Sequence, residues 1–265
     1  MLFRKPYRKI VPAAIRKKIF LYLKSYIRQE IRKKTNNIVV SGPFEGMRID
    51  IDDNTLEMFL LGTLELEIHP AFAELSAFRF DQIINIGATE GYYAVGMALK
   101  WPQATVYAFE NQEDYWRPKI LKLASDNLVA DRVHIQGHCS SSELVDLLKP
   151  DKSTLLMLDV EGDEIKLLDL LLVNGLLRAT ILVELHDMFV PECSRIIEER
   201  FKNTHDISKY VTRSRTINDF PLRGWNFINP LIGPFVVAAM WERTDTQEFY
   251  LMIPKNCSAE SEDIK

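Results

Sequence analysis

The segment IINIGATEG, residues 83–91, constrains the fold more strongly than any other part of the sequence. A short apolar run ends at Gly87, three residues separate this glycine from Gly91, and a helical pattern follows directly. Glycines at such a turn let the backbone bend sharply and approach a ligand closely, while the first N–H groups of the helix are free to bind it. The segment therefore predicts a strand, a ligand-binding loop and a helix.

The remainder of the chain repeats this alternation of strand and helix. The apolar runs are QIINIG, TVYAFE, RVHIQG, TLLMLDV and TILVEL, with helical stretches between them. Such alternation predicts βαβ units and a parallel sheet, so the fold class is α/β. The later runs HDISKYV and EFYLMIP are expected to pair as the last two strands.

Four regions are expected along the chain. Residues 1–37 form a basic helical arm. Residues 38–80 form a hairpin at 38–51 followed by helices, the second of which has Pro70 in its first turn and runs to Phe78. Residues 81–255 form the core, in which the Pro- and Gly-containing stretch 212–247 is a long loop or lid with a short helix at 235–241. Residues 256–265 are a polar tail.

The arm differs in charge from the rest of the chain. Residues 1–34 contain twelve Lys or Arg and one Glu, which gives +11 and leaves −15 for the remainder of a chain whose net charge is −4. Within 10–34 an apolar residue recurs every four positions, as in Ile15, Ile19 and Ile27. Such a helix is expected either to lie peripherally on an anionic membrane surface or to pack on the protein itself or another subunit.

Cysteine content and hydropathy indicate the compartment. Three widely spaced cysteines form no CxxC pair, so neither a zinc site nor a disulfide framework is expected. No run of 18 apolar residues occurs, which argues against a membrane span and a secretory signal. A cytoplasmic protein is expected, with peripheral contact at the inner face of the membrane as an option. The oligomeric state stays open.

An acidic residue after the second strand indicates the ligand of the glycine loop. Glu110 lies 19 residues beyond Gly91, where a carboxylate accepts hydrogen bonds from both ribose hydroxyls of an adenosine group. NAD would require G-x-G-x-x-G, but residue 89 is Thr89, so S-adenosylmethionine is favoured. The predicted cofactor-binding residues are Asn85, Gly87, Ala88, Glu90, Gly91, Tyr92, Glu110, His138, Cys139 and Asp159.

Two of these residues follow the third strand, at the position where domains that bind an adenosine group in this way contact the adenine ring. His138 and Cys139 stand directly after Gly137. Two roles are open for His138, because its imidazole is suited to bond the base and equally to cap the next helix.

Four polar groups follow the fourth and fifth strands and form the predicted catalytic set: Asp159, Glu161, Glu184 and His186. Ligands of open α/β sheets bind outside the carboxyl ends of the strands, so these groups should converge. His186 or Glu161 would act as general base toward a hydroxyl acceptor, or the acids and the histidine would hold a divalent ion, which is not favoured. Asp159 and Glu184 could instead only hold loops through backbone hydrogen bonds.

The motifs INIGATEGYYAVG, VYAFE, LLMLDVEGDEIKLLD and ILVELHD, with SGPFEGM and LLGTLELEIHP upstream, resemble bacterial FkbM-like class I methyltransferases of an uncharacterised branch. The resemblance covers roughly residues 38–255. It implies a Rossmann-like, seven-stranded, mostly parallel sheet with an antiparallel last strand. It also implies O-methylation of a sugar, glycan or other small hydroxyl compound by S-adenosylmethionine.

The resemblance further marks Glu65 and His69 as lids over cofactor or acceptor, with helix capping and surface polarity as the alternative. Asn85 departs from the superfamily pattern, because an acidic residue is frequent at that position. A non-catalytic cofactor-binding or membrane-associated scaffolding module is the alternative function. Nucleic acid is not the expected substrate, since the body is acidic and no N-P-P-Y-type motif follows the fourth strand.

Overall fold

The computed structural model describes residues 13–50, 56–222, 233–240 and 246–255. Predictions on the start of the arm, the end of the hairpin, much of the 212–247 loop and the polar tail therefore lie outside the described residues. The chain divides into two compact units, Met1–Leu66 with Arg213–Thr244 and Glu67–Thr212 with Asp245–Lys265.

The second unit contains a seven-stranded sheet of order β3-β2-β1-β4-β5-β7-β6. Strands β1 to β5 pair in parallel, and β7 lies antiparallel between β5 and β6. This confirms the predicted mostly parallel sheet with an antiparallel last strand. The strands are β1 (Gln82–Ile86), β2 (Thr105–Phe109), β3 (Val133–Gln136), β4 (Thr154–Leu158), β5 (Thr180–Leu185), β6 (His205–Val211) and β7 (Glu248–Pro254).

The order of the strands determines where a ligand can bind. The chain builds the sheet outward from β1 through β2 to β3, and then returns to place β4 on the other side of β1. Such a switch point opens a crevice at the carboxyl ends of the neighbouring strands. The loops after β1, β2 and β4 therefore meet at one place.

In the described part of this unit, six α-helices accompany the sheet, and the central strands are covered on both faces. Every residue of β1, β4 and β5 is buried, as expected for central parallel strands, which read as continuous apolar runs. The helices of this unit are α3 (His69–Leu75), α4 (Tyr92–Lys100), α5 (Glu113–Asp126), α6 (Ser141–Leu147), α7 (Glu164–Leu167) and α8 (Cys193–Phe201).

The first unit is helical, with α1 (Ala13–Thr35), α2 (Leu56–Leu61) and α9 (Gly233–Ala239). Helix α1 buries Ile27 and Ile31 completely, and its Arg28 forms an ion pair with Glu57 of α2. The ring of Phe20 lies 5.2 Å from that of Phe235 in α9. One face of the predicted basic helix therefore packs within its own unit.

Several predicted elements are shorter than expected. The hairpin of residues 38–51 is reduced, within its described part, to one antiparallel bridge between Ile38 and Arg48, because Gly42 and Gly46 reverse the chain at φ 81° and 94°. Helix α3 has Pro70 in its first turn as predicted but ends at Leu75. Across the described ranges, no helix is both long and apolar enough to cross a membrane.

Candidate functional site

The loop after β1 depends on two glycines with left-handed backbone angles. Gly87 has φ 83°, and a Cβ atom there would lie 1.8 Å from the carbonyl oxygen of Asp159. Gly91 has φ 88° and precedes α4 as its N-cap residue. Only glycine satisfies both the angle and the close approach at Gly87. The loop therefore lies directly against the end of β4.

Glu110, directly after β2, connects two loops through its carboxylate. Its Oε2 accepts the backbone N–H of Thr89 at 3.0 Å, and its Oε1 accepts that of Gln112 at 2.9 Å. The residue is only 8% exposed. Because each carboxylate oxygen accepts more than one hydrogen bond, both retain acceptor capacity toward a ligand.

An open cavity lies at the switch point of the sheet. It is bounded by the loops after β1, β2, β3 and β4. Its lining residues are Ile86, Gly87, Thr89, Phe109, Glu110, Asn111, Gln112, Trp116, Gly137, His138, Cys139, Asp159, Val160, Glu161, Asp163 and Leu167. Predicted residues from four different loops therefore share one cavity.

The other predicted residues of β1, the glycine loop and the start of α4 do not line this cavity. Ala88 and Tyr92 are buried at 3% and 4% exposure, and Asn85 is buried at 1%. The Oδ1 atom of Asn85 has no hydrogen-bond partner within the part of the chain that the structure describes. A buried amide oxygen without a partner is costly, so this atom is available to a donor. Glu90 and Gly91 also lie outside the lining, although Gly91 shapes the turn.

The third-strand loop settles one of the two roles of His138. The N-cap residue of α6 is Ser140, which forms a capping box with Glu143, so the capping alternative for His138 is wrong. The imidazole Nδ1 instead lies 2.9 Å from Oδ1 of Asn111. Since an amide oxygen only accepts, this contact places a proton on Nδ1, and in the neutral imidazole Nε2 is then an acceptor. Burial and the charge of Glu143 raise the pKa of Cys139 to about 12, so its thiol is neutral.

Three of the four predicted catalytic residues form a cluster at the ends of β4 and β5. The Nε2 atom of His186 lies 3.6 Å from Oδ1 of Asp159 and 3.7 Å from Oε1 of Glu184. The ligand atoms of these residues all lie within 4.8 Å of one another, which is compatible with a metal ion as well as with proton transfer. Asp159 also lines the cavity and so joins the cluster to it.

Glu161 is placed differently from the other three. It follows the end of β4, with φ 50°, and its side chain is exposed. It lines the cavity together with Asp159, and both residues lie beyond β4, which ends at Leu158.

The sequence did not indicate the fourth member of the cluster, Glu164. Its carboxylate is fully buried, and its Oε1 lies 2.6 Å from Nδ1 of His186. Burial lowers the pKa of His186, but the hydrogen bond to Glu164 and the charges of Glu184, Glu164 and Asp159 outweigh burial and raise it above 6.5. The cluster therefore favours the protonated imidazole.

Sequence reasoning also missed the main-chain donors of Thr89 and Gln112 and the ring of Trp116. No side-chain pattern could indicate the two donors, because any residue supplies an N–H group. Trp116 follows Glu110 by six residues in α5, so its position in the lining depends on how α5 begins.

The two upstream residues, Glu65 and His69, do not line the cavity. Glu65 belongs to the first unit, is 5% exposed and has φ 43°, so surface polarity does not describe it. His69 is the first residue of α3, the helix has no side-chain cap, and His69 does not line the cavity. Their role as lids stays a prediction.

No protein-family model and no curated protein matches the sequence. Solved structures similar to it include the O-methyltransferase TomG from Streptomyces achromogenes, in complex with SAM. It is 12% identical, the match covers 78% of this chain and 82% of that one, and the TM-score is 0.44. Cofactor-bound Rv0187 from MTB is 15% identical over 76% of this chain and 90% of that one, with a TM-score of 0.47.

A third similar structure is precorrin-6y C5,15-methyltransferase from Geobacter metallireducens GS-15. It is 12% identical over 76% of this chain and 88% of that one, with a TM-score of 0.43. These values identify no family, and the fold class rests on the order and direction of the strands. This order and these directions of the strands are those of the Rossmann-like class I methyltransferase fold, as predicted.

Substituting Gly87 by alanine tests the close approach at the centre of the site. We expect Gly87→Ala to lower the free energy of unfolding by more than about 1 kcal/mol, because the new Cβ meets a rigid carbonyl group. Gly162→Ala is the control, since Gly162 also has positive φ, 120°, but its nearest neighbour is a side-chain atom at 3.3 Å. Chemical denaturation of both variants measures the difference. Equal losses would contradict the claim that the carbonyl contact requires glycine.

Proposed function

We propose that this protein is an S-adenosylmethionine-dependent methyltransferase that methylates a hydroxyl oxygen of a sugar, a glycan or another small compound. The observation that carries the proposal is the carboxylate of Glu110, held by two main-chain N–H groups in a cavity at the switch point of the sheet. Ligand binding at this point of an open α/β sheet is the general rule. The solved methyltransferases are similar in fold only.

The cavity residues fit the parts of this cofactor. Glu110 would accept the two ribose hydroxyls, and Nε2 of His138 would accept a hydrogen bond from the adenine amino group. Asn85 lies outside the lining, so its assignment to the amino group of the methionine portion rests on its buried Oδ1, which has no partner among the described residues. NAD is disfavoured because Thr89 occupies the place of the second glycine in its fingerprint.

When bound, the cofactor supplies a sulfonium methyl group that is already activated for transfer to oxygen. The protein's task is then mainly to position the acceptor, and well-oriented reactants lower a barrier by about 7–11 kcal/mol. His186 would take the proton of the acceptor hydroxyl at Nε2. The surrounding carboxylates of Asp159, Glu184 and Glu164 stabilise the imidazolium that results. Glu161 remains the alternative base.

Replacing Glu110 tests the cofactor assignment. We expect Glu110→Gln to weaken S-adenosylmethionine binding by about 10- to 100-fold, because charge-assisted hydrogen bonds contribute roughly 1.5–3 kcal/mol. Isothermal titration calorimetry measures the affinity. Glu143→Gln is the control, since this carboxylate caps α6 outside the cavity and its loss should leave binding unchanged. Equal affinity in the Glu110 variant would refute the site.

The pH profile and removal of His186 test the base. Because the pKa of His186 is raised, the neutral imidazole dominates only at higher pH. The value of kcat should therefore rise with pH to a plateau, with the midpoint of the rise above pH 6.5. His186→Ala should lower kcat by about 10²- to 10⁴-fold and remove this dependence, while cofactor affinity is retained.

A chelator should leave the rate unchanged. Loss of activity on chelation, restored by a divalent ion, would instead assign Asp159, Glu184 and His186 to a metal.

We also propose that the protein is cytoplasmic and that α1 brings it to an anionic membrane surface. The N-terminal half of α1, before the buried Ile27 and Ile31, leaves Ile15, Ile19 and Tyr22 exposed by 48%, 38% and 70%. Residues 1–34 carry twelve basic residues against one acid. An apolar stripe among basic residues is typical of interfacial helices. A scaffolding module without catalysis would show this binding and no methyl transfer.

Flotation with lipid vesicles tests the membrane contact. The protein should bind vesicles containing phosphatidylglycerol and not those of phosphatidylcholine alone, and Ile19→Glu should weaken binding about tenfold because one apolar side chain is no longer buried in the interface. Leu171→Glu is the control, since Leu171 is 96% exposed in the other unit. Equal weakening by both variants would contradict a role specific to α1.

A further inference from the structure

Glu164 is buried next to the proposed base, and the proposed function gives it only a share, with Asp159 and Glu184, in stabilising the imidazolium. It begins the short helix α7, and its side chain has 0% exposure. Its Oε1 lies 2.6 Å from Nδ1 of His186 and also accepts the N–H of Gly162 at 3.2 Å. Its Oε2 lies 3.9 Å from the thiol of Cys193 in α8. The carboxylate therefore has donors on both oxygens.

The two ring nitrogens of His186 have different surroundings. Nδ1 lies at the short distance typical of a charge-assisted hydrogen bond. Nε2 lies 3.6 Å and 3.7 Å from the nearest carboxylate oxygens, beyond hydrogen-bond distance. Because an ionised carboxylate only accepts, the bond to Glu164 requires the proton on Nδ1. In the neutral imidazole, Nε2 is then the nitrogen with a free lone pair.

We infer that Glu164 is a positioning residue that holds His186 in the Nδ1–H tautomer and orients Nε2 toward the acceptor hydroxyl. This inference rests on the proposed function, in which His186 is the base. The acceptor proton passes to Nε2, and the oxygen uses the O–H electron pair to bond the methyl carbon. The C–S electron pair leaves with the sulfur. The imidazolium that forms donates to Glu164 from Nδ1, so its positive charge lies next to a negative one.

The second partner of Glu164 supplies a control within the same contact. Burial and the charge of Glu164 raise the pKa of Cys193 to about 11, so the thiol is neutral and donates to Oε2. Removing the thiol changes packing around the carboxylate without removing the bond from Nδ1. A purely structural role for Glu164 predicts similar effects from losing either partner. A role through His186 predicts different effects.

Three variants test the inference: Glu164→Met, Glu164→Gln and Cys193→Ala. Methionine removes the acceptor with little change in volume, whereas glutamine keeps a carbonyl oxygen and loses the charge. We expect Glu164→Met to lower kcat by about 100-fold or more with cofactor affinity unchanged. Glu164→Gln should recover part of that loss, and Cys193→Ala should keep nearly the full rate.

Nuclear magnetic resonance of 15N-histidine-labelled protein at alkaline pH reports the tautomer without any turnover. The chain contains five histidines, and the His186→Ala spectrum assigns the relevant signal. The wild type and Cys193→Ala should show the proton on Nδ1, and Glu164→Met should move it to Nε2. A proton on Nε2 in the wild type, or an unchanged tautomer and kcat in Glu164→Met, would overturn the inference.

The spectra also separate this inference from the proposed function. An Nδ1–H signal that depends on Glu164 supports the positioning role whatever the acceptor is. Failure of the wild type to bind S-adenosylmethionine would refute the methyltransferase assignment, and with it the catalytic use of His186.

Discussion

The backbone of Gly87 lies so close to the carbonyl group of Asp159 that no side chain fits between them. The rest of the site depends on this contact. It fixes the glycine loop after β1 against the end of β4, and the Thr89 N–H of the same loop then reaches the carboxylate of Glu110 after β2. Asp159 in turn is both a wall of the cavity and a neighbour of His186. One close approach between main-chain groups thus links the proposed cofactor site to the proposed base.

Electrostatics around His186 follow from the same arrangement. Three carboxylates approach one imidazole, and only the one from Glu164 forms a short hydrogen bond with it. Burial opposes the charged imidazole, whereas the acids favour it, and the acids prevail. A base in these surroundings becomes more stable when it gains a proton, which suits abstraction from a weakly acidic hydroxyl group. The same negative charges would also attract a cation, so the metal alternative is a direct consequence of the geometry.

Local patterns in the sequence predicted the alternating strands, the glycine turn and the positions of Glu110, Asp159 and His186, because these features repeat or flank apolar runs. Contacts between distant positions were not predictable in this way. No local pattern links Glu164 to His186, yet the first residue of α7 forms a hydrogen bond with this histidine 22 positions later, directly after β5. Capping of α6 was one of the two roles open for His138, although Ser140 and Glu143 have the spacing of a capping box. That signal was present and overlooked.

A crystal structure of the protein with S-adenosylhomocysteine tests the central claim most directly. The account predicts the adenosine portion in the cavity between the loops after β1, β2 and β3, with both ribose hydroxyls on Glu110. It also predicts the sulfur on the side of Asp159 and His186. Ligand bound elsewhere, or ribose hydroxyls that do not contact Glu110, would contradict the account.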